Sequence, residues 1–191
     1  MLFSDKSAPQ VLKNSYVLLD TDFLGTIFSD EKCFKESMDL LGSSQLLVDP
    51  LIRFEFLRDI YVPEQRKLRE DFIDNKSIFC PTPSHHEIYQ KIQHNALILS
   101  LIYAHTRSIH RASPSIVDLY LAGRMMLVHG TYRLITGNTK DCPINIFDLE
   151  TVINISQPIS GNLQPFGVLR FNIRKFNQAF KTLDMLGELQ T

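Results

Sequence analysis

The sequence contains no tryptophan, only three cysteines and almost no net charge, since 20 Lys and Arg residues balance 21 Asp and Glu residues. Cys33, Cys80 and Cys142 are odd in number, widely spaced and form no C-x-x-C pair. This spacing argues against a zinc site or a disulfide framework and favours buried, reduced thiols. A net charge of −1 gives no global electrostatic case for nucleic-acid binding, although a bound metal ion supplies its own positive charge to a phosphate.

Long apolar runs are also missing. No stretch approaches the roughly 18 uncharged apolar residues that a membrane span needs. The first 14 residues lack a basic region followed by a long apolar run, so we expect no signal peptide. Together with the reduced thiols, these absences predict a cytoplasmic protein without membrane contact. The hydrophobic fraction of 44% is enough for the core of one domain.

Short apolar segments alternate with amphipathic segments along the chain. We predict strands at residues 16–19, 45–48, 77–80, 132–135 and 151–155. We predict helices at residues 23–41, from Pro50, from Pro63, at 84–106 and from Pro114, with Ser113 as the N-cap of the last one. This alternation predicts an α/β domain around a central, mainly parallel sheet of four to five strands.

The chain divides into three parts on its composition. Residues 1–14 form a polar lead-in, and residues 15–155 hold all the predicted strands and most of the predicted helices. Residues 156–191 change character, with a loop-like start followed by an extended piece and a helix. We predict that this part is a C-terminal extension packed on the same domain.

Four acidic residues stand in matched contexts near the ends of predicted elements. Asp20 ends the first strand, Glu55 lies among apolar residues in the helix after the second, Asp118 lies in the first turns of a later helix, and Asp141 follows the strand at 132–135. Ligands collect at the carboxyl ends of parallel strands. Several carboxylates brought together repel one another unless a cation lies among them. As a set, the four acids therefore indicate a cation site, although each one alone is typical of a surface residue.

The motifs LLDTDFL, PLIRFEFL, SPSIVDLYLAG and RLITGNTKD, in this order, resemble those of the PIN-domain ribonuclease family, which includes the VapC-like toxins. The resemblance covers about residues 15–155. It implies a three-layer α/β/α PIN-like fold with Asp20, Glu55, Asp118 and Asp141 as catalytic metal ligands. Asp22, Thr136 and Asn138 would support these acids.

The activity that the resemblance implies is metal-dependent endonucleolytic hydrolysis of RNA, leaving a 5′-phosphate and a 3′-hydroxyl. Carboxylate ligands suit Mg²⁺ or Mn²⁺ better than zinc. The resemblance also implies a toxin of a toxin–antitoxin pair, with an antitoxin protein as partner and a homodimer as a further assembly. Position 22 is Asp where the family more often has Asn, and Gly123 replaces a usual Ala.

Candidate RNA contacts must come from local basic residues, because the chain has no global positive charge. We predict Arg107, Arg111 and Arg124, which flank or follow the start of the Asp118 helix. Four basic residues also give the C-terminal part a local positive excess, which is either an RNA contact or a solvated face: Arg170, Arg174, Lys175 and Lys181.

Two other functions remain open. LLDTDFLGT is close to the D-x-D motif of haloacid-dehalogenase-type phosphatases, but that assignment leaves Glu55 and Asp118 unused and finds no G-D-x-x-x-D motif later. The other alternative is a non-catalytic PIN-fold module for protein interaction. A degenerate member of that kind should lose acids, and this chain keeps all four.

Overall fold

The computed structural model describes residues 8–76, 78, 86–106, 114–128, 130–157 and 161–185. Within these ranges the strands are β1 (Tyr16–Leu19), β2 (Gln45–Leu47), β3 (Tyr132–Thr136), β4 (Phe147–Ser156) and β5 (Leu163–Phe171). The helices are α1 (Ala8–Leu12), α2 (Thr21–Ser29), α3 (Glu31–Leu41), α4 (Pro50–Arg58), α5 (Pro63–Asn75), α6 (His86–Thr106), α7 (Ile116–Leu127) and α8 (Ile173–Met185). The prediction of an α/β chain with strands at 16–19, 45–48 and 132–135 is confirmed to within one residue.

The five strands form one mixed sheet in the order β2-β1-β3-β5-β4. β1 pairs in parallel with both β2 and β3, whereas β5 pairs antiparallel with β3 and β4. The predicted parallel arrangement therefore holds for β2, β1 and β3 only. The strand predicted at 77–80 lies outside the described residues except for Ile78, which is buried and belongs to no strand.

Strand β1 is buried on both faces of the sheet. Val17, Leu18 and Leu19 are each 0% exposed, and successive residues of a strand point to opposite faces. Both faces are therefore covered, as is usual where parallel strands are connected through helices. The backbone N–H of Asp20 then donates to the carbonyl of Ile135 at 3.1 Å, so the chain leaves β1 beside the end of β3.

The single helix predicted at residues 23–41 is wrong, because two helices occupy this range. Asp30 separates α2 from α3 with an extended backbone (φ −156°, ψ 136°), and its carboxylate accepts hydrogen bonds from the backbone N–H groups of Lys32 and Cys33. An Asp at an N-cap satisfies donors that the first turn leaves unpaired. α3 then ends at Gly42, whose φ of 56° favours glycine.

The start of α7 also differs from the prediction. Ser115, not Ser113, is the N-cap, and Pro114 precedes the helix instead of opening it; Ser113 itself lies outside the described residues. Further along α7, a Cβ at Gly123 would approach the carbonyl oxygen of Ile92 at 2.7 Å and the nitrogen of Ala96 at 3.1 Å. Glycine at position 123 therefore lets α7 pack closely against α6.

The segment predicted as a C-terminal extension supplies an interior strand of the sheet. β5 lies between β3 and β4, with Thr136 opposite Gly167 and Leu134 opposite Leu169. Removing residues 163–171 would therefore separate β4 from the rest of the sheet. Among the helices that the structure describes, none combines the length and the apolar character that crossing a membrane requires.

Candidate functional site

A cleft of about 720 Å³ opens where β1 and β3 end and where α4, α5 and α7 approach them. All four acids predicted from the separate motifs line it. Its strand-end side consists of Asp20, Thr21, Asp22, Asn138 and Asp141, next to Ser115 and Asp118 at the start of α7. Its α4–α5 side consists of Glu55, Phe56, Arg58, Asp59, Ile60 and Arg69.

Asp20 is the most buried of these acids, with 8% of its surface exposed. One carboxylate oxygen accepts from the Thr21 backbone N–H at 2.7 Å, which caps α2, and the other accepts from the Thr136 hydroxyl at 2.6 Å. The pKa of Asp20 is raised from 3.8 to about 7, chiefly by burial; the nearby Asp22 and Asp118 contribute to the rise, and the Thr136 hydrogen bond opposes it. A cation bound nearby would favour the ionised form of Asp20 and lower this pKa.

The turn after β3 is organised by the same threonine. Thr136 is 1% exposed, and its hydroxyl oxygen also accepts from the backbone N–H of Asn138 at 2.9 Å. The Asn138 side-chain amide donates to the Asp141 carboxylate, which lies in a short 3-10 helix over Thr139–Asp141. The T-x-N-x-x-D motif thus forms one chain of hydrogen bonds that runs from Asp20 to Asp141.

Asp22 contacts main chain with both of its carboxylate oxygens. It accepts from the backbone N–H of Phe23 at 2.6 Å and from that of Gly137 at 2.7 Å. A Cβ at Gly137 would lie 2.6 Å from the Asp22 oxygen, so a glycine is needed for this close approach. Partial burial, with Asp118 nearby, raises the pKa of Asp22. Its contacts tie the start of α2 to the turn after β3.

Asp118 is held by a capping box at the start of α7. One oxygen of its carboxylate, Oδ2, accepts from the Ser115 backbone N–H at 2.9 Å and from the Ser115 hydroxyl at 2.7 Å. In return, the Ser115 hydroxyl oxygen accepts from the Asp118 backbone N–H at 3.1 Å. None of these bonds uses Oδ1, and the carboxylate lines the cleft.

Glu55 connects α4 to the strand-end side of the cleft. Its Oε2 accepts a hydrogen bond from the Thr21 hydroxyl. Its Oε1 lies 3.8 Å from a guanidinium nitrogen of Arg58 on the same helix. The Glu55 side chain is 23% exposed, so its carboxylate is accessible from the cleft.

The thiol of Cys142 lies close enough to four acids of the cleft for their charges to affect it. Burial raises the pKa of this thiol well above its ordinary value, and four carboxylates add to the shift. Those carboxylates are Asp118, Asp20, Asp141 and Asp22. Because negative charges around a thiol disfavour the thiolate, the structure favours a protonated, buried thiol at Cys142 beside the acid cluster.

Arg58, Asp59 and Arg69 line the cleft although no sequence motif marks them. Arg58 and Asp59 lie three and four residues after Glu55, and this spacing on a helix was an available signal. The highly charged pattern of α5 is typical of a solvated helix face, but Arg69 is half-buried and departs from this pattern. Its guanidinium donates to the Phe56 carbonyl at 2.6 Å and lies 4.5 Å from the centroid of the Phe56 ring.

The structure describes only one of the three arginines predicted as RNA contacts. Arg107 and Arg111 lie outside the described residues. Arg124 is wrong as an RNA contact, because it is 9% exposed and its guanidinium lies 2.5 Å from the Asp49 carboxylate in a buried ion pair. This pair joins α7 to the N-cap of α4, so Arg124 supports the helices that carry Asp118 and Glu55.

The positive excess of the C-terminal part is partly neutralised within the fold. Arg170 contacts Glu150 at 2.9 Å, and Lys175 contacts Asp148 at 2.8 Å. The Lys175 hydrogen bond, with Asn172 and Arg170 adding to it, holds the pKa of Asp148 below its ordinary value. These two cations therefore belong to an intramolecular ion network.

The donors around the cleft suit a hard cation. Asp20, Glu55, Asp118 and Asp141 offer only carboxylate oxygens, which Mg²⁺ and Mn²⁺ prefer. The raised pKa of Asp20 indicates that ionising this carboxyl is costly without a balancing charge. Across the described ranges, no three His, Cys, Asp or Glu side chains already converge tightly enough to hold a metal ion. The acids are thus candidate ligands around a cleft, not a formed coordination sphere.

No known protein family, characterised protein or solved structure with which the chain was compared matches it. The functional assignment therefore depends on the residues of the cleft.

Proposed function

We propose that this protein is a metal-dependent endoribonuclease with a PIN-like, three-layer α/β/α fold. One observation carries the proposal: four acids from four separate motifs, spread over more than half of the chain, line a single cleft at the ends of two parallel strands. Chance surface acids would not be expected to meet in this way. The burial of β1 on both faces and the parallel pairing of β2, β1 and β3 support the fold assignment.

In this proposal, Asp20, Asp118 and Asp141 hold Mg²⁺ or Mn²⁺, and Glu55 holds a second ion or orients the attacking water. A metal ion bound there would lower the pKa of a coordinated water and balance the charge on the phosphodiester oxygens. Thr136 keeps Asp20 facing the cleft, and Asn138 does the same for Asp141. Residues that orient metal ligands in this way commonly affect metal affinity.

The roles of toxin, antitoxin-bound protein and homodimer remain predictions of the family resemblance. Nothing among the described residues bears on them, so the proposal concerns the reaction class alone.

The decisive test compares RNA cleavage by four purified proteins: the unmodified chain, Asp20→Asn, Asp118→Asn and a control variant. We expect the unmodified chain to cleave single-stranded RNA in Mg²⁺ or Mn²⁺ and to lose this activity in EDTA. Both substitutions should abolish cleavage, because each removes a ligand charge. Asp71→Asn is the matched control, since Asp71 is exposed on α5 and does not line the cleft.

A second readout separates metal binding from activity. Mg²⁺ should raise the thermal unfolding midpoint of the unmodified chain and of Asp71→Asn more than that of Asp20→Asn, because a ligand stabilises the state that binds it. Equal cleavage by all four proteins would contradict the proposed site. Metal binding without cleavage of any RNA would favour the non-catalytic interaction module instead.

A further inference from the structure

The α4–α5 side of the cleft contains an arginine that is held by a carbonyl oxygen and by aromatic rings. Arg69 on α5 is half-buried, and among the described residues no carboxylate forms an ion pair with it. Its guanidinium instead donates to the Phe56 carbonyl in the last turn of α4 and lies over the rings of Phe56 and Phe28, at 4.5 and 5.4 Å. A cation held this way keeps further N–H donors for another acceptor, since a guanidinium carries five.

Arg58 lies in the same cleft and is held weakly. Its contacts are 3.8 Å to Glu55 and 3.4 Å to Asp59, with 49% of its side chain exposed. Exposed pairs at such distances contribute little to stability and exchange readily for a better partner. The cleft therefore combines one fixed arginine and one adaptable arginine with the acid cluster.

We propose that Arg69 and Arg58 form the phosphate-binding subsite of this cleft and contact the backbone of the RNA that the acids cleave. This inference rests on the proposed nuclease function. An acid-lined cleft repels a polyanion, so productive binding needs local cations that the acids do not neutralise. Arginine suits this purpose because its planar fork binds phosphate through two parallel hydrogen bonds.

The subsite also offers RNA contacts in place of Arg124 and of the basic residues of the C-terminal part. Arg124 is buried against Asp49, and Arg170 and Lys175 are paired with acids of β4. Arg69 differs from these because, within the part of the chain that the structure describes, no acid is paired with its guanidinium. Its fixed position beside the acids would set which phosphate lies over the metal ligands.

The test measures the affinity for a short, fluorescently labelled single-stranded RNA in Mg²⁺, in an Asp20→Asn background so that the RNA stays intact. Arg69→Met and Arg58→Ala are added to this background separately. Methionine keeps an apolar stem over Phe56, which limits the loss of packing. Arg66→Ala is the matched control, because Arg66 lies on the same helix, pairs with Glu70 and does not line the cleft.

We expect Arg69→Met to raise the dissociation constant about tenfold, and Arg58→Ala to raise it by a smaller factor. The slope of log affinity against log salt should become shallower by about 0.7 for each phosphate that a variant no longer binds. Arg66→Ala should change neither quantity appreciably. Near-ultraviolet circular dichroism of each variant checks that the fold is kept.

Three outcomes would overturn the subsite: no RNA binding by the Asp20→Asn protein, equal affinity in all variants, or an equal loss in Arg66→Ala. Cleavage by the unmodified chain is measured in parallel. If Arg69 governs binding but no cleavage occurs, the nuclease assignment fails and the phosphate subsite stands. If cleavage occurs with an affinity independent of Arg69 and Arg58, the subsite fails and the nuclease assignment stands.

Discussion

The strand-end side of the cleft and its α4–α5 side are held in place by different kinds of contact. On the strand-end side, Asp20 is 8% exposed and bound at 2.6–2.7 Å to the Thr136 hydroxyl and the Thr21 backbone. On the α4–α5 side, Arg58 is half exposed, and its ion pairs span 3.4 and 3.8 Å. The first arrangement is fixed and desolvated, whereas the second can rearrange.

This difference fits two separate tasks. Metal ligands need fixed positions, and their desolvation makes the unbalanced charge costly, which favours cation binding. A contact to a long, variable polymer benefits from side chains that adapt. The α4–α5 side is nevertheless anchored to the fold, by the buried Asp49–Arg124 pair and by the hydrogen bond from Arg69 to the Phe56 carbonyl.

The largest effect on stability should come from that anchor. We expect Arg124→Met to lower the free energy of unfolding by about 3–5 kcal/mol, because it leaves Asp49 as a buried charge without its partner. Arg66→Ala, which breaks an exposed pair on α5, should cost no more than about 0.5 kcal/mol. Urea unfolding followed by circular dichroism measures both.

A double variant tests whether the stability lost in Arg124→Met comes from the unpaired charge of Asp49. Asp49→Asn combined with Arg124→Met should be less destabilised than the sum of the two single variants, because the second change removes the charge that the first one strands. Additive costs would contradict the buried pair. In Arg124→Met, RNA cleavage by the molecules that remain folded should also fall, because the buried pair joins the helices that carry Glu55 and Asp118.

The second prediction concerns pH and the strand-end side alone. Asp20 has a folded pKa of about 7 against 3.8 when unperturbed, so between these values the folded state binds more protons than the unfolded state. Stability without metal should therefore fall as pH rises from about 4 to about 7, by an amount on the order of a few kcal/mol. Above that range this contribution is constant.

Denaturant unfolding in EDTA across this pH range measures the effect, with Asp20→Asn as the reference that lacks the titrating group. Mg²⁺ should reduce the fall, because a bound cation favours the ionised acid. Parallel pH curves for the two proteins in EDTA would show that Asp20 ionises freely, and would remove the electrostatic contrast between the two sides of the cleft.

The acid cluster could be predicted from the sequence because the four acids share one context, near the ends of predicted elements, although each one alone is typical of a surface residue. Asp20 follows three apolar residues of β1, and Asp118 lies in the first turn of a helix. The helices that begin at Pro50 and Pro63 were also predicted from proline at a first turn. These signals are local, and the parallel pairing of β1 with β3 then brings two of the acids together.

The sheet order and the arginines could not be predicted in the same way. β5 contains Pro165 and Gly167, residues that weaken a strand signal, and its place between β3 and β4 depends on non-local pairing. Arg69 belongs to a highly charged helix whose pattern is typical of a solvated face. Only the tertiary contact with Phe56 distinguishes it from its neighbours.

The third prediction weakens the fixed side without removing a ligand. Thr136→Val keeps the shape of the side chain but removes the hydroxyl that bonds Asp20 and Asn138, which should cost about 1–3 kcal/mol of stability. The pKa of Asp20 should rise further, so the pH midpoint of cleavage should move upward. Thr136→Ser should restore both properties. Unchanged pH profiles for valine and serine would show that the hydroxyl does not hold Asp20.

The smallest effect should come from β5, whose Gly167 lies under the turn that carries Asp141. A Cβ at this position would meet the Thr139 methyl group at 2.5 Å and a Leu149 methyl at 3.1 Å. Because Thr139 is exposed and can shift, we expect Gly167→Ala to cost about 1 kcal/mol, at the low end for overpacking. Because the displaced turn carries Asp141, we expect the rate of RNA cleavage to fall by a larger factor than this loss of stability alone would cause.

Thr139→Ser removes the methyl group that the new Cβ would strike, so the Gly167→Ala/Thr139→Ser double variant should recover cleavage. Gly161→Ala is a poor control because its φ is 66°, whereas Gly25→Ala lies in a helix with nothing within 4 Å of the new Cβ. If Gly167→Ala and Gly25→Ala leave cleavage equally unchanged, then β5 supports the sheet but does not position the turn of Asp141.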